Sequence, residues 1–244
     1  YMSPWSATDA AMTDFRPPPV PAIDPLPAFS KGLSAVVTWR AVVDAGVGRV
    51  EYQVLAFSTT DTTKPFAASP WTPDIQQTVG GLPEGALVYF AVHARDGLGH
   101  TSALSALVQT RPDNSPPPVP TLGALPAYTS GLTLSAVWSN VADGGVGGVL
   151  FRAQISADPS FQAGVFDSGW VLALTYTGPA LTDGALYFAR VKARDAFQFE
   201  SAWSALERTE MDNSAPGVPA PSALPAYTEG SSVSLAWTEA LDLG

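Results

Sequence analysis

The run LTLSAVW, Leu132 to Trp138, decides the fold. Leu132, Leu134, Ala136 and Trp138 fall on one side at a period of two, and Thr133 and Ser135 fall on the other. That alternation is the mark of a β-strand with one buried face. Leu33, Ala35, Val37 and Trp39 repeat it 99 residues earlier.

The same interval governs the whole chain. Val20-Pro21 recurs as Val119-Pro120 and Val218-Pro219, 99 residues on each time. Leu26-Pro27-Ala28-Phe29 recurs as Leu125-Pro126-Ala127-Tyr128 and as Leu224-Pro225-Ala226-Tyr227. Trp39, Trp138 and Trp237 keep step. So do Asp44 and Asp143, Trp71 and Trp170, Leu82 and Leu181, Gly85 and Gly184, and the Ala-Arg-Asp runs 94–96 and 193–195. Trp5-Ser6-Ala7 matches Trp203-Ser204-Ala205 at 198 residues, twice the interval. Self-similarity at a fixed period is the signature of a repeat architecture. The expected organisation is the last strand of one repeat at 1–14, complete repeats at 15–113 and 114–212, and the first part of another at 213–244. The tail from Ser214 reads as a cut through a longer array, just ahead of the third strand of its repeat.

Further strands follow within each repeat. Val50, Tyr52, Val54 and Ala56 alternate, as do Val149, Phe151, Ala153 and Ile155. Tyr187, Ala189, Val191 and Ala193 alternate with Leu186, Phe188, Arg190, Lys192 and Arg194. Six or seven such strands in about a hundred residues, separated by turn signals, describe an all-β antiparallel sandwich of immunoglobulin-like size. Its expected core contains Trp39, Tyr52, Trp138, Phe151, Leu181, Tyr187 and Trp237.

These residues resemble fibronectin type III domains. The likeness rests on the Trp of the second strand, the aromatic of the third (Tyr52, Phe151), and the Leu-x-x-Gly-x-x-Tyr run of Leu181, Gly184 and Tyr187. The Ala-Arg-Asp, the Ser-Ala-Trp-Ser of 201–204 and the Asp-Asn-Ser before the prolines are similar to versions found in tandem in bacterial and phage extracellular proteins. The resemblance implies a tyrosine corner at Tyr187. The first repeat departs from it with Val88, where only the neighbouring Tyr89 is at hand to substitute.

Composition bounds the function. Apolar residues make up 46% of the 244, enough for proper cores, and charged residues only 14%. A net charge of −10 with 12 Lys and Arg argues against binding a nucleic-acid backbone. No apolar run is long enough to insert in a membrane. The absence of cysteine removes disulfides, zinc–thiolate sites and Cys nucleophiles together, which suits a cytosolic protein and equally a bacterial surface protein. There is no Gly-x-Ser-x-Gly, P-loop or dinucleotide fingerprint, so the chain is expected to be non-catalytic and free of an organic cofactor.

Three features could carry binding. The prolines 16–21, 115–120 and 215–219 favour extended joints leading into edge strands, or a dock for a proline-recognition module. Asp113 and Asp212, at the junctions, are candidate calcium ligands with help from Asp96 and Asp195, although short Asx side chains commonly serve turns. Trp71 and Trp170 offer flat indoles for a glycan, against the plainer reading that they pack on the sandwich edge. His93, replaced by Lys192 in the next repeat, reads as a solvated outer position. The leading expectation is a spacer or adhesive segment of a large extracellular, cell-surface or virion fibre protein. Its partners would be other repeats of the parent chain, a glycan or cell-surface protein, or its own kind in a filament. The alternative is an accessory glycan-binding or spacer array of a secreted polysaccharide-degrading enzyme.

Overall fold

The computed structural model describes residues 13–46, 48–145 and 147–242. The expected strand at 1–14 and the Trp5-Ser6-Ala7 match fall, apart from Thr13 and Asp14, outside the described residues. The chain divides into two compact units that change over between Ser115 and Pro116, with the Gly144–Gly147 turn counted to the first.

The first unit contains β1 (Phe29–Lys31), β2 (Ser34–Thr38), β3 (Glu51–Phe57), β4 (Ala67–Ala68), β5 (Gln76–Gly80), β6 (Val88–Arg95) and β7 (Val108–Asp113). One sheet runs β1-β7-β6-β3-β4 and the other pairs β2 with β5. All these pairings are antiparallel except β1 with β7. The second unit contains β8 (Tyr128–Ser130), β9 (Ser135–Val137), β10 (Leu150–Ser156), β11 (Phe166–Asp167), β12 (Thr175–Thr177), β13 (Leu186–Arg194) and β14 (Glu207–Asp212). Its sheets, β11-β10-β13-β14-β8 and β12-β9, repeat the order strand for strand, including the parallel pair β14 with β8. Two facing, mainly antiparallel sheets in this order make each unit an all-β sandwich.

Alternation fills the space between the sheets. In the first unit Val37 and Trp39 meet Val79 across from Tyr52, Val54, Phe90 and Val92, all buried. In the second, Leu134, Ala136 and Trp138 meet Phe151, Ile155, Leu181, Tyr187 and Val191. The indoles tilt onto the aromatic of the third strand: Trp39 and Tyr52 centroids lie 5.6 Å apart, Trp138 and Phe151 6.1 Å. Both buried indole N–H groups lack an acceptor among the described residues, so these side chains contribute by packing alone.

Three expectations are corrected. Leu33 and Leu132, placed on the core face, are 39% and 47% exposed, because the sheet begins one residue later in the first unit and three later in the second. Trp237 is 67% exposed instead of buried. Among the described residues its segment has one isolated bridge, from Pro221 to Trp237, and no facing sheet. That bridge nevertheless has counterparts in Ile23 with Trp39 and Leu122 with Trp138, so the local pairing forms wherever the motif occurs. His93 is half-buried, not solvated: its Nε2 meets Gln53 Oε1 at 3.0 Å and its ring lies 4.8 Å from that of Trp71.

The first two proline segments carry a period of three, whereas Pro216 and Pro219 of the third are exposed. Pro18 and Pro21 are buried while Pro17 and Pro19 are exposed, and Pro117 and Pro120 are buried while Pro116 and Pro118 are exposed. Polyproline II has three residues per turn, so one of its edges packs and the others face water.

Candidate functional site

The surface of greatest chemical interest is the outer face of the large sheet in each unit. It is assembled by serines. Residues 201–204 do not form a strand, yet they follow β13 as one would. Ser201 and Ser204 donate their amides to the carbonyls of Ala193 and Val191 at 2.8 Å. Their hydroxyls then accept the amides of the same two residues, at 2.9 Å for Ser201 and 3.1 Å for Ser204. Ser102 and Ser105 do the same to Ala94 and Val92 in the first unit. On the other side of the sheet Ser69 hooks Val54, and Ser168 hooks Ala153. A hydroxyl is both donor and acceptor, so one serine satisfies a strand's donor and passes its own proton on to the next carbonyl.

The hooks set the tryptophans. Trp71 and Trp170 follow their serines by two residues, and Trp203 lies between Ser201 and Ser204. In the second unit the outward side chains of β13 interleave with these rings. The Arg190 guanidinium lies 3.9 Å from the Phe161 centroid and 4.1 Å from that of Trp203. Lys192 Nζ lies 4.8 Å from Trp203 and 5.5 Å from Trp170, and Arg194 lies 4.3 Å from Trp170. Cations over aromatic faces attract through the ring quadrupole. The stack is pinned at its flanks: Arg190 donates to Gln154 Oε1, Lys192 pairs with Glu200, and Arg152 pairs with Asp167 at 2.7 Å. The first unit has a shorter version. Arg95 lies 4.4 Å from the Trp71 centroid and pairs with Glu51 at 2.7 Å, while burial pushes the His93 imidazole below its usual value. Leu104 stands where the second unit has Trp203.

Trp71 and Trp170 are thus half-buried and packed against cations, which leaves part of each indole open to a ligand. Sequence reasoning singled out those two but not Phe161, Arg190, Lys192 or Arg194. The available signal was three long cations at alternate positions on the outward face of a strand.

The junction aspartates have a separate environment. Asp14, Asp113 and Asp212 each accept, on Oδ1, the amide two residues on: Arg16 at 3.1 Å, Ser115 at 3.3 Å and Ser214 at 3.2 Å. Asn114 and Ser115 are held in turn by Glu84, and Asn213 and Ser214 by Asp183. The expected turn role is therefore present in the geometry. Asp96 and Asp195 sit in the tight turn after β6 and β13, 3% and 2% exposed. In the first unit Asp96 Oδ1 accepts the amides of Leu98 and His100, and Oδ2 meets His100 Nδ1 at 2.8 Å. Desolvation opposes ionisation of Asp96, but these hydrogen bonds hold its carboxyl below the usual range.

The tyrosine corner is in place in the second unit, where Tyr187 Oη accepts the Thr182 amide at 3.1 Å. In the first unit Val88 is fully buried. A different phenol bridges a turn there: Tyr52 Oη accepts the Val42 amide at 2.9 Å. Gly85 and Gly184 hold φ of 64° and 70° in that corner and donate to Pro112 and Met211 carbonyls, a conformation that favours glycine.

Comparison with known proteins gives a partial likeness. No family model matches the chain. Endoglucanase B of Cellulomonas fimi is 29% identical over 178 residues, 72% of this chain and 16% of that protein. The chain therefore spans a small part of that relative's length. Among solved structures, the chicken CNTN1 FN1-FN3 domains align over 91% of this chain and 76% of that chain, with 18% identity and a TM-score of 0.36.

Proposed function

We propose that this chain is a non-catalytic spacer segment of a larger, secreted protein that acts on polysaccharide. The observation that carries the reading is where its polar side chains go. Serines, junction aspartates and outward cations are consumed in holding strands, turns and rings, and what results is two self-sufficient sandwiches entered by proline-stiffened segments. The partial likeness to an endoglucanase supports a polysaccharide-degrading parent over a fibre or adhesin, although the spacer role is common to both.

A second reading, glycan contact, is favoured by the half-open indoles of Trp71 and Trp170. Flat rings of this kind suit the apolar face of a sugar, since an indole offers a large apolar body at low entropy cost. One experiment separates the two. The purified chain is incubated with cellulose, xylan and chitin, and both reducing-end release and retention on the solid are measured. The spacer reading expects neither. Retention lost in Trp170→Ala would establish binding instead, and release of reducing ends would overturn the non-catalytic assignment.

A further inference from the structure

The two units treat the same buried aspartate differently. Asp96 and Asp195 are equivalent, and both place Oδ1 on the amide four residues on, His100 at 2.9 Å and Phe199 at 2.9 Å. Their second oxygens diverge. Asp96 Oδ2 receives the His100 ring at 2.8 Å. Phe199 replaces that histidine in the second unit, and Asp195 Oδ2 is left buried with no hydrogen-bond donor among the described residues. A carboxylate oxygen removed from water without a partner is strongly destabilising, so such groups are normally paired or bound to a metal.

A second carboxylate is already there. Ligand oxygens of Asp143 and Asp195, both in the second unit, lie within 4.8 Å of one another. The first unit gathers Asp14, Asp96 and His100 within the same reach. There the imidazole supplies the donor that the second unit lacks.

We propose that the second unit binds a calcium-class cation between Asp143 and Asp195, in the role that the His100 ring performs in the first unit. The donors are hard oxygens with no thiolate, which selects calcium over zinc or copper. Backbone carbonyls and water complete the six to eight oxygens that calcium takes. Magnesium gives up its water reluctantly and suits a carboxylate pair with one buried member less well. The inference does not depend on the spacer reading.

The test uses the whole chain, stripped with a chelator and titrated calorimetrically with calcium chloride. One equivalent is expected to bind, and the second unit's thermal transition is expected to rise by roughly 10 °C in hundredfold excess over Kd. Asp195→Asn and Phe199→His should each abolish that binding, the second by placing an imidazole on the open oxygen. Phe199→His decides the matter if Asp195→Asn does not fold. The reciprocal His100→Phe should raise the stoichiometry from one to two. No binding up to about 10 mM, well above the weakest affinities of extracellular modules, would overturn the proposal. So would binding that survives Phe199→His.

Discussion

Ser168 Oγ accepts the amide hydrogen of Ala153 at 2.9 Å, and the tryptophan two residues beyond that serine lies 4.3 Å from the Arg194 guanidinium. The hydroxyl thus links strand satisfaction to the aromatic surface. Ser168→Ala leaves a buried amide without its side-chain acceptor. It should destabilise the second unit by about 1–3 kcal/mol. Trp170 fluorescence should shift to the red as the ring loosens, read by denaturant titration with emission spectra. An unchanged spectrum together with unchanged stability would show that the hook is ornamental.

Each unit buries its own indole, so damage should stay local. Trp138→Ala empties the centre of the second core and should cost about 3–5 kcal/mol, against a typical domain stability of about 5–15 kcal/mol. Trp138→Phe should cost less, since it keeps most of the ring and deletes an indole N–H that has no acceptor among the described residues. Scanning calorimetry should show one transition lowered and the other in place. A common shift of both transitions would mean that the units unfold together.

His93 provides a pH signature confined to one unit, because both histidines lie in the first. Desolvation lowers the folded pKa of His93 below its ordinary value near 6.5. The unfolded chain therefore takes up a proton before the folded one does. Stability is complete above the ordinary value and declines as pH falls through it toward the lower folded value. Gln53 faces the ring, and Arg95 shares Trp71 with it, so a protonated imidazole would also meet a like charge. Denaturation midpoints between about pH 7.5 and 5.5 should fall for the first unit and flatten in His93→Gln. A first unit as indifferent to this range as the second would contradict the burial of the ring.

The sandwich was legible in the sequence because alternation and interval are properties of single strands. Trp39, Trp138, Tyr52 and Phe151 announce themselves by spacing, and they are found between the sheets. Trp237 obeys the same spacing and is exposed, since burial belongs to the facing sheet and not to the motif. The serine hooks were hidden for a related reason. Ser201 and Ser204 look like turn residues until the strand they grip is known. The divergence of Asp96 and Asp195 needed still more: the residues that follow them, Gly-Leu-Gly-His and Ala-Phe-Gln-Phe, differ at every position, and only geometry says which oxygen the His100 ring serves.

The loop after β10 is organised by one carboxylate. Asp158 accepts the Ser160 hydroxyl at 2.6 Å and amide at 2.9 Å, the Gln162 amide at 2.8 Å and the Ala163 amide at 3.2 Å. These bonds, the Ser160 hydroxyl foremost, pull its pKa down to about 2. They also hold Phe161 at φ 55°, a conformation side chains rarely adopt, with its ring against Arg190. Because the folded pKa lies below the unfolded one, the contribution of Asp158 is present above its ordinary value of 3.8 and is lost only as pH falls from there toward about 2. A carboxyl titration followed by nuclear magnetic resonance should place the Asp158 midpoint near the lower figure, with the Phe161 ring shifts unchanged until that pH. Asp158→Ala should free Phe161 from Arg190 at neutral pH and reproduce the acid spectrum of the ring. A midpoint at the ordinary carboxylate value would mean that the loop is held by its backbone alone.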